Sequence, residues 1–149
     1  MPVMGYTKFE RLFRAAAAVR VDRDDMKRYL DFVNEVIYDL LLAGRATARA
    51  NARDTIEPWD LPVTARLQEC IHQFRRLDQD IEARPILESL AARPPLESGL
   101  SEATEGRLPE LLGGISVALA RVLRLLDADI SAVHSEEWDR AFRLLRILI

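Results

Sequence analysis

The chain has few of the residues that disulfide bonds, metal sites and β-strands require. It contains one cysteine, Cys70, so no disulfide can form within it, and a reducing compartment is expected. Its two histidines and that cysteine make no zinc-binding pattern. Aromatic residues are only 7% of the sequence, and β-branched residues are sparse. The composition therefore favours helices over strands.

Several functional motifs are also missing from the sequence. There is no glycine-rich phosphate loop, nucleophile motif or paired-carboxylate cleft, so the sequence predicts no enzyme, no cofactor, no metal and no small-molecule substrate. No uncharged run approaches the roughly 20 residues that span a bilayer. Residues 1–20 have no cationic region ahead of an apolar core, so no signal peptide is expected. These absences predict no membrane association and a cytoplasmic protein, with the nucleoid as one location.

The charge is nearly balanced and slightly negative. The formal net charge is −3, with +1 in residues 1–78 and −4 in residues 79–149. Lys8 and Lys27 are the only lysines; the other cations are arginines, which form salt bridges as readily as phosphate contacts. Because proteins that live on nucleic acid are usually basic, only the first half is a candidate for phosphate contact.

Helical periodicity dominates the first half. Thr7 and Glu10 have the spacing of a capping box, which predicts a short first helix beginning there. The pattern breaks at Val19–Asp24, and a long second helix is predicted from about Asp25 to near Asn51. A third helix is predicted from about Trp59 to Leu77.

The second half repeats the helix pattern of the first half less clearly. Short helices are predicted at Ile81–Ala91 and, with Ser135 as cap, at Glu136–Leu148. A long apolar helix is predicted between them, at Thr104–Leu126. Short, long and short helices thus occur twice, which indicates an internal repeat. We expect one compact domain, 1–149, with halves at 1–78 and 79–149.

One segment resembles part of a known fold. Residues Asn51–Leu61 are similar to the histone segment in which an arginine is followed by threonine, a β-branched residue and an acid next to an aliphatic residue. The resemblance implies that Arg53 and Asp60, seven positions apart, form a structural clamp that closes the second loop onto the third helix. It also implies that Thr55 pairs with the neighbouring half and can touch phosphate.

The whole chain resembles a bacterial histone-like family that carries two histone folds in one polypeptide. The segments with this resemblance are Phe9–Arg14, Tyr38–Leu41, Asp60–Pro62, Phe74–Arg76 and Pro94–Leu96. It implies an all-α chain of tandem histone folds forming an intramolecular pseudo-dimer. The two long helices should then cross near Ile37 and Val117, and the first loop of each half should meet the second loop of the other.

The candidate DNA contacts lie in the first half. A basic stripe on the first helix can be a phosphate track or a solvated helix face, and two arginines lie in the first loop. Acidic residues surround both ends of the pseudo-dimer at which DNA contact is expected (the contact ends). They reduce the positive charge that is available there to neutralise phosphates. The candidate residues are Lys8, Arg11, Arg14, Arg20, Arg23 and Thr55; the acids are Glu97, Glu102, Asp127, Asp129, Glu136 and Glu137.

Two functions from different classes stay open. The first is a non-enzymatic, nucleoid-associated histone-like protein with weak, sequence-independent DNA contact, which the fold resemblance and the more basic first half favour. The second is a protein-interaction module of histone fold without DNA binding, which the acidic pI favours; its partner would be another protein or a second copy. Trp59 and Trp138 are expected to pack in the core or in an interface.

Overall fold

The computed structural model describes residues 3–83, 99–126 and 133–148. Within these ranges the regular structure is helical, as the composition predicts. Apart from a single residue-pair bridge, the described part holds no strand pairing. The five α-helices are α1 (Val3–Ala17), α2 (Asp25–Ala50), α3 (Ala65–Ile81), α4 (Glu102–Leu126) and α5 (Ser135–Leu148). The predicted all-α class is confirmed.

The start of α1 differs from the sequence prediction. The helix begins at Val3, so Thr7 lies inside it and is not an N-cap. The extra turn brings Tyr6 against the core, where its hydroxyl donates a hydrogen bond to the carbonyl of Val21. The helix ends where Ala18 adopts a left-handed conformation, with φ of 56°, a common way of closing a helix.

The connection from α2 to α3 is longer than predicted. The long helix α2 matches its predicted bounds. Trp59, however, does not begin the third helix; it lies in a 3-10 turn, Pro58–Asp60, and α3 starts at Ala65. The reason is Pro62, which holds Leu61 in an extended conformation. Thr64 then caps α3 by accepting a hydrogen bond from the backbone N–H of Leu67.

The second half follows its predicted pattern in the described residues. The helices α4 and α5 match their predictions to within two residues at each end. The helix predicted at Ile81–Ala91 does not begin at Ile81, which is the last residue of α3. Positions 84–91 lie outside the described residues.

The helices α3 and α4 pack at very short range. At Gly113 an added Cβ would lie 2.4 Å from the ring of Phe74, and at Gly114 it would lie 2.5 Å from the side chain of Ile71. Both distances are shorter than real Cβ contacts. The two glycines therefore allow α3 to lie directly against α4, which larger side chains would prevent.

The long helices α2 and α4 meet through a buried polar contact. The hydroxyl of Tyr29 lies 2.5 Å from that of Ser116, and Ser116 also donates to the carbonyl of Leu112. Burial raises the pKa of Tyr29 to about 12, against a smaller opposite effect of the hydrogen bond to Ser116. The contact is one residue from Val117 but two helical turns before Ile37, where the crossing was predicted.

Aromatic side chains fill the space between α1, α2 and α5. The ring of Phe9 stacks on Tyr29 with centroids 4.6 Å apart, and Phe13 packs between Tyr29 and Trp138. These contacts join residues from both halves of the sequence in one apolar core. Such rings contribute large buried areas and favour offset or edge-to-face geometry.

The two halves also pair through their loops. Ile56, after α2, forms a parallel bridge with Leu100, before α4. The backbone N–H of Ile56 donates to Gly99, and that of Ser101 donates to Ile56. The side chain of Thr104 donates to the same Ile56 carbonyl at 2.7 Å. The side chain of Ile56 is fully buried, so this pairing is part of the core.

The close approach of α3 and α4 gives a prediction with an internal control. Gly113→Ala should lower the free energy of unfolding by about 1–3 kcal/mol, because the new methyl group must displace Phe74. Gly106→Ala, in the same helix, should raise it by roughly 0.5–1 kcal/mol, because nothing lies within 4 Å of its Cβ position. Denaturant unfolding of both variants measures these changes. Equal changes in the free energy of unfolding for the two variants would show that α3 does not pack closely against α4 at Gly113.

Candidate functional site

The basic stripe of α1 points mainly at α3. Lys8 donates to the carbonyl of Ile81, and Arg11 donates to that of Asp80 at 3.3 Å. Both carbonyls are in the last turn of α3, where the helix dipole attracts cations. Arg14 forms an ion pair with Glu10 one turn away. The stripe thus makes intramolecular contacts that attach α1 to α3 and neutralise one of its charges.

The two arginines after α1 are more accessible. Arg20 and Arg23 are both exposed on the segment between α1 and α2. The guanidinium of Arg23 lies over the ring of Tyr6, 5.1 Å from its centroid, a cation–π arrangement that leaves the charge unneutralised. Asp22 and Asp24, both exposed, flank Arg23 in the sequence. Arg20 and Arg23 are therefore two accessible positive charges with acidic residues beside them.

Arg53 and Asp60 form a bidentate ion pair. The two guanidinium nitrogens Nη1 and Nη2 lie 2.8 and 2.7 Å from the two carboxylate oxygens. One of these oxygens also accepts the backbone N–H of Glu57 at 2.8 Å. The side chain of Asp60 is 1% exposed and that of Arg53 is 33% exposed. The pair closes the loop between α2 and α3, and it leaves Arg53 little freedom to reach a phosphate.

The electrostatics of this pair follow from its hydrogen bonds. The bonds from Arg53 and then from the Glu57 backbone lower the pKa of Asp60 from 3.8 to about 2. The hydrogen bond to Asp60 in turn raises the pKa of Arg53. Both groups are therefore charged at neutral pH, and the loop geometry depends on that charge.

Thr55 and two of the acidic residues named above are exposed in the structure. Thr55 is exposed next to the buried Ile56, and its carbonyl accepts a 3.3 Å hydrogen bond from Arg53. It lies at the loop that pairs with Leu100, away from the segment that carries Arg20. Glu102 and Glu136 are exposed at the starts of α4 and α5. Three of the acids expected near the contact ends, at positions 97, 127 and 129, lie outside the described residues.

The sequence did not reveal an apolar groove between α3, α4 and α5. Its volume is about 360 Å³. It lies at the junction of three helices, so periodicity within any one helix could not locate it. The exposed Leu125 and Leu148 line this groove. The main apolar side chains that line it are Leu67, Val122, Leu125, Leu145 and Leu148.

The two tryptophans differ, contrary to expectation. Trp138 is fully buried. Trp59 is 74% exposed, so it does not pack in the core, and its packing in an interface stays a prediction. The physical reason is the 3-10 turn, which aims Asp60 inward for the ion pair with Arg53 and leaves the preceding side chain outside.

The described residues hold neither a metal-binding cluster nor a membrane-spanning helix. In the ranges 3–83, 99–126 and 133–148, no group of three or more histidine, cysteine or acidic side chains could hold a metal ion. Among the helices described, none is both long enough and apolar enough to cross a bilayer.

The ion pair between Arg53 and Asp60 predicts a pH-dependent stability. Because the pKa of Asp60 is lowered on folding, its carboxylate stabilises the fold above the unfolded value of 3.8 and loses that effect as pH falls toward about 2. Asp60→Asn should lower Tm by about 5–10 °C at neutral pH. The difference from the unmodified chain should shrink between pH 4 and pH 2, as thermal melts across that range would show.

The control for this prediction is another ion pair on the surface. Arg14→Ala removes an exposed pair with Glu10, so it should change Tm by little. Arg53→Ala should resemble Asp60→Asn, since each leaves one charged or polar partner without its counterpart. Melts of Arg53→Ala and Asp60→Asn that match the unmodified chain at neutral pH would show that the pair does not hold the loop.

Comparisons with known proteins find relatives along almost the whole chain. A Thermus thermophilus protein with a crystal structure is 43% identical to this chain. The match covers 96% of this chain and 97% of that protein, and the two structures superpose with a TM-score of 0.85. A crystal structure of an Aquifex aeolicus protein, at 23% identity, shares the fold with a TM-score of 0.84 over 97% of this chain and 95% of its own. An uncharacterised protein of Aquifex aeolicus is 28% identical over 80% of this chain and 70% of its own length. Residues 9–146 match the family described as a domain of unknown function, DUF1931. The chain therefore belongs to the DUF1931 family.

Proposed function

We propose that the chain is a non-enzymatic, histone-like protein whose two halves pair as tandem histone folds. The observation that carries this proposal is the parallel bridge between Ile56 and Leu100. In a pseudo-dimer of histone folds, the second loop of one half pairs with the first loop of the other. Ile56 follows the long helix α2, whereas Leu100 precedes the long helix α4, so the bridge joins loops of those two kinds.

The loop that carries Ile56 has the features that the histone resemblance implies. Arg53 and Asp60 form the bidentate pair, and Thr55 stands exposed beside the bridge. The contact of Tyr29 with Ser116 joins the two long helices, as a crossing of the halves requires. Because both halves are in one chain, the pairing has no concentration dependence.

Contact with DNA, in this proposal, is weak and made to the phosphate backbone. Lys8, Arg11 and Arg14 are engaged within the molecule. The contact is therefore assigned chiefly to Arg20 and Arg23, which are exposed. Their flanking acids reduce the local potential, so few counterions would be released and the affinity would be low. The expected location is the nucleoid.

A second candidate function is a protein-interaction module that does not bind DNA. The apolar groove between α3, α4 and α5 favours it, because a cavity of about 360 Å³ beside exposed leucines is typical of a surface that binds protein. Lys8, Arg11 and Arg14 also use their charged groups in intramolecular hydrogen bonds or an ion pair. The two functions differ in one measurable property, the affinity for a DNA duplex at low salt.

Fluorescence anisotropy with two labelled duplexes of unrelated sequence tests the DNA function. Binding should be equal for both duplexes, and the logarithm of affinity should fall by about 0.9 per contacted phosphate for each unit of log salt. Arg20→Ala with Arg23→Ala should lower the affinity at low salt and make this slope shallower by up to about 1.8. Lys8 is a poor probe because its substitution also loosens α1 from α3.

The matched control removes two exposed arginines from residues 79–149, the acidic half of the chain. Arg140 and Arg143 are exposed on α5, and replacing both with alanine should leave DNA affinity unchanged. If this pair weakened binding as much as the Arg20 and Arg23 pair, the assignment to the first half would be wrong. No binding to either duplex at low salt would reject DNA contact and favour the protein-interaction function.

A further inference from the structure

The groove between α3, α4 and α5 is an apolar cavity with one thiol in its wall. Its volume of about 360 Å³ lies within the range of roughly 300–1,000 Å³ that small-molecule sites occupy. Leu67 and Leu145 in the wall are each 1% exposed, so an occupant must enter the cavity to contact them. Cys70, whose thiol is in the wall, is also buried. The cavity therefore fits an aliphatic chain better than a polar molecule.

The charges at the edge of the groove do not cancel. Arg66 and Glu69 on α3 lie 3.8 Å apart and neutralise each other. Arg121 on α4 is exposed at the same edge. Its guanidinium donates to the neutral side chain of Gln73 at 3.5 Å and to the thiol of Cys70. In the described part of the chain its partners are thus uncharged, and the groove has one positive charge that no acidic side chain neutralises.

The state of Cys70 shows that this charge lies at the cavity. Burial raises the pKa of the Cys70 thiol, and the charge of Arg121 and its hydrogen bond to the thiol oppose that effect. Both opposing effects require the guanidinium to lie close to the thiol. Because Arg121 is exposed whereas Cys70 is buried, the guanidinium is at the mouth of the cavity, between its apolar wall and solvent.

We infer that the groove binds a free aliphatic monocarboxylate of medium chain length, with its chain in the cavity and its carboxylate at Arg121. The apolar tail matches the wall, and the single negative charge matches the single unneutralised cation. A guanidinium binds a carboxylate through two parallel hydrogen bonds, which fixes the head of the ligand at the mouth. A cationic head would meet Arg121 without a free acid to attract it, since Glu69 is already paired with Arg66.

This inference goes beyond both proposed functions. It does not use Arg20 or Arg23, which lie on the segment between α1 and α2, outside the groove. It also needs no protein partner. A protein segment in the same groove would exclude the carboxylate, but apolar side chains of a protein would leave the charge of Arg121 unused. Comparison of ligands that differ only in their head group separates the two occupants.

Isothermal titration calorimetry of the full chain with decanoate, below the concentration at which it forms micelles, tests the inference. Decanoate should bind saturably at one site per chain. Decanol should bind about tenfold more weakly, because it makes no pair of charge-assisted hydrogen bonds with Arg121, and decylammonium should bind more weakly than decanol. Octanoate should bind roughly tenfold more weakly than decanoate, because it buries two fewer methylene groups.

The variant that tests the head-group contact is Arg121→Gln. It should lower the affinity for decanoate about tenfold and leave the affinity for decanol unchanged. Arg121 is exposed, so the melting temperature should stay close to that of the unmodified chain. The matched control is Arg107→Gln, which removes another exposed arginine of α4 that does not line the groove. Its affinity for decanoate should equal that of the unmodified chain.

Three results would overturn the inference. An absence of saturable decanoate binding would do so and would leave the groove to a protein partner. Equal affinities for decanoate and decanol would show that the head group is not recognised. Equal losses of decanoate affinity in Arg121→Gln and Arg107→Gln would show that Arg121 does not receive the carboxylate.

The only cysteine shows whether decanoate occupies the groove itself. Bound decanoate should slow the modification of Cys70 by a maleimide, because the aliphatic chain covers the wall in which the thiol lies. In Arg121→Gln the same protection should require about tenfold more decanoate, in proportion to the loss of affinity. Saturable binding of decanoate that leaves the rate of Cys70 modification unchanged would place the ligand elsewhere and contradict the assignment to the groove.

Discussion

The burial of α4 is the constraint on which the rest of the structure depends. All thirteen residues from Leu108 to Ala120 are buried, so this helix has no solvent-facing side over more than three turns. A helix of this kind must be enclosed by other elements. The packing of α1, α2, α3 and α5 on it provides that enclosure, and Gly113 and Gly114 allow α3 to approach α4 closely.

A fully enclosed helix must also satisfy its polar side chains. Glu110 is buried, and Arg75 of α3 forms two hydrogen bonds to it, at 3.1 and 2.9 Å. Ser116 is paired with Tyr29, and Thr104 with the carbonyl of Ile56. Each of these contacts joins α4 to a different part of the first half. Because an unpaired buried polar group is costly, these three residues fix how the first half lies against α4, which apolar packing alone would leave less defined.

The sequence predicted the helices well but not all of their ends or contacts. Periodicity located α2, α4 and α5 because long apolar stripes are strong local signals. The spacing of Thr7 and Glu10 was misleading, since the same pair also occurs inside helices, and α1 begins one turn earlier, at Val3. Arg146 has acidic residues earlier in its own helix, but it contacts Glu35 and Asp39 of α2. Contacts between distant segments cannot be read from the spacing within one segment.

The candidate surfaces were harder to predict than the fold, for a physical reason. An arginine has the same sequence signature whether it faces a phosphate, a carboxylate or the end of a helix. Lys8 and Arg11 illustrate this, because the carbonyls they contact belong to α3, about seventy residues away. The groove is a similar case, because its walls come from three helices and no pattern within one helix shows how the three lie against each other.

The intramolecular pairing of the halves changes what the outer surface is free to do. In the proposed pairing of two histone-like halves, the apolar face of each half is covered by the other half of the same polypeptide. An apolar patch that stays exposed after this pairing is therefore not explained by the pairing itself. Leu125 and Leu148 belong to the acidic half, whereas the exposed arginines near residue 20 belong to the other. The groove takes Leu67 and Cys70 from the first half and its other apolar walls from the second, so it depends on the packing of the two halves, whereas the exposed arginines near residue 20 lie in the first half alone.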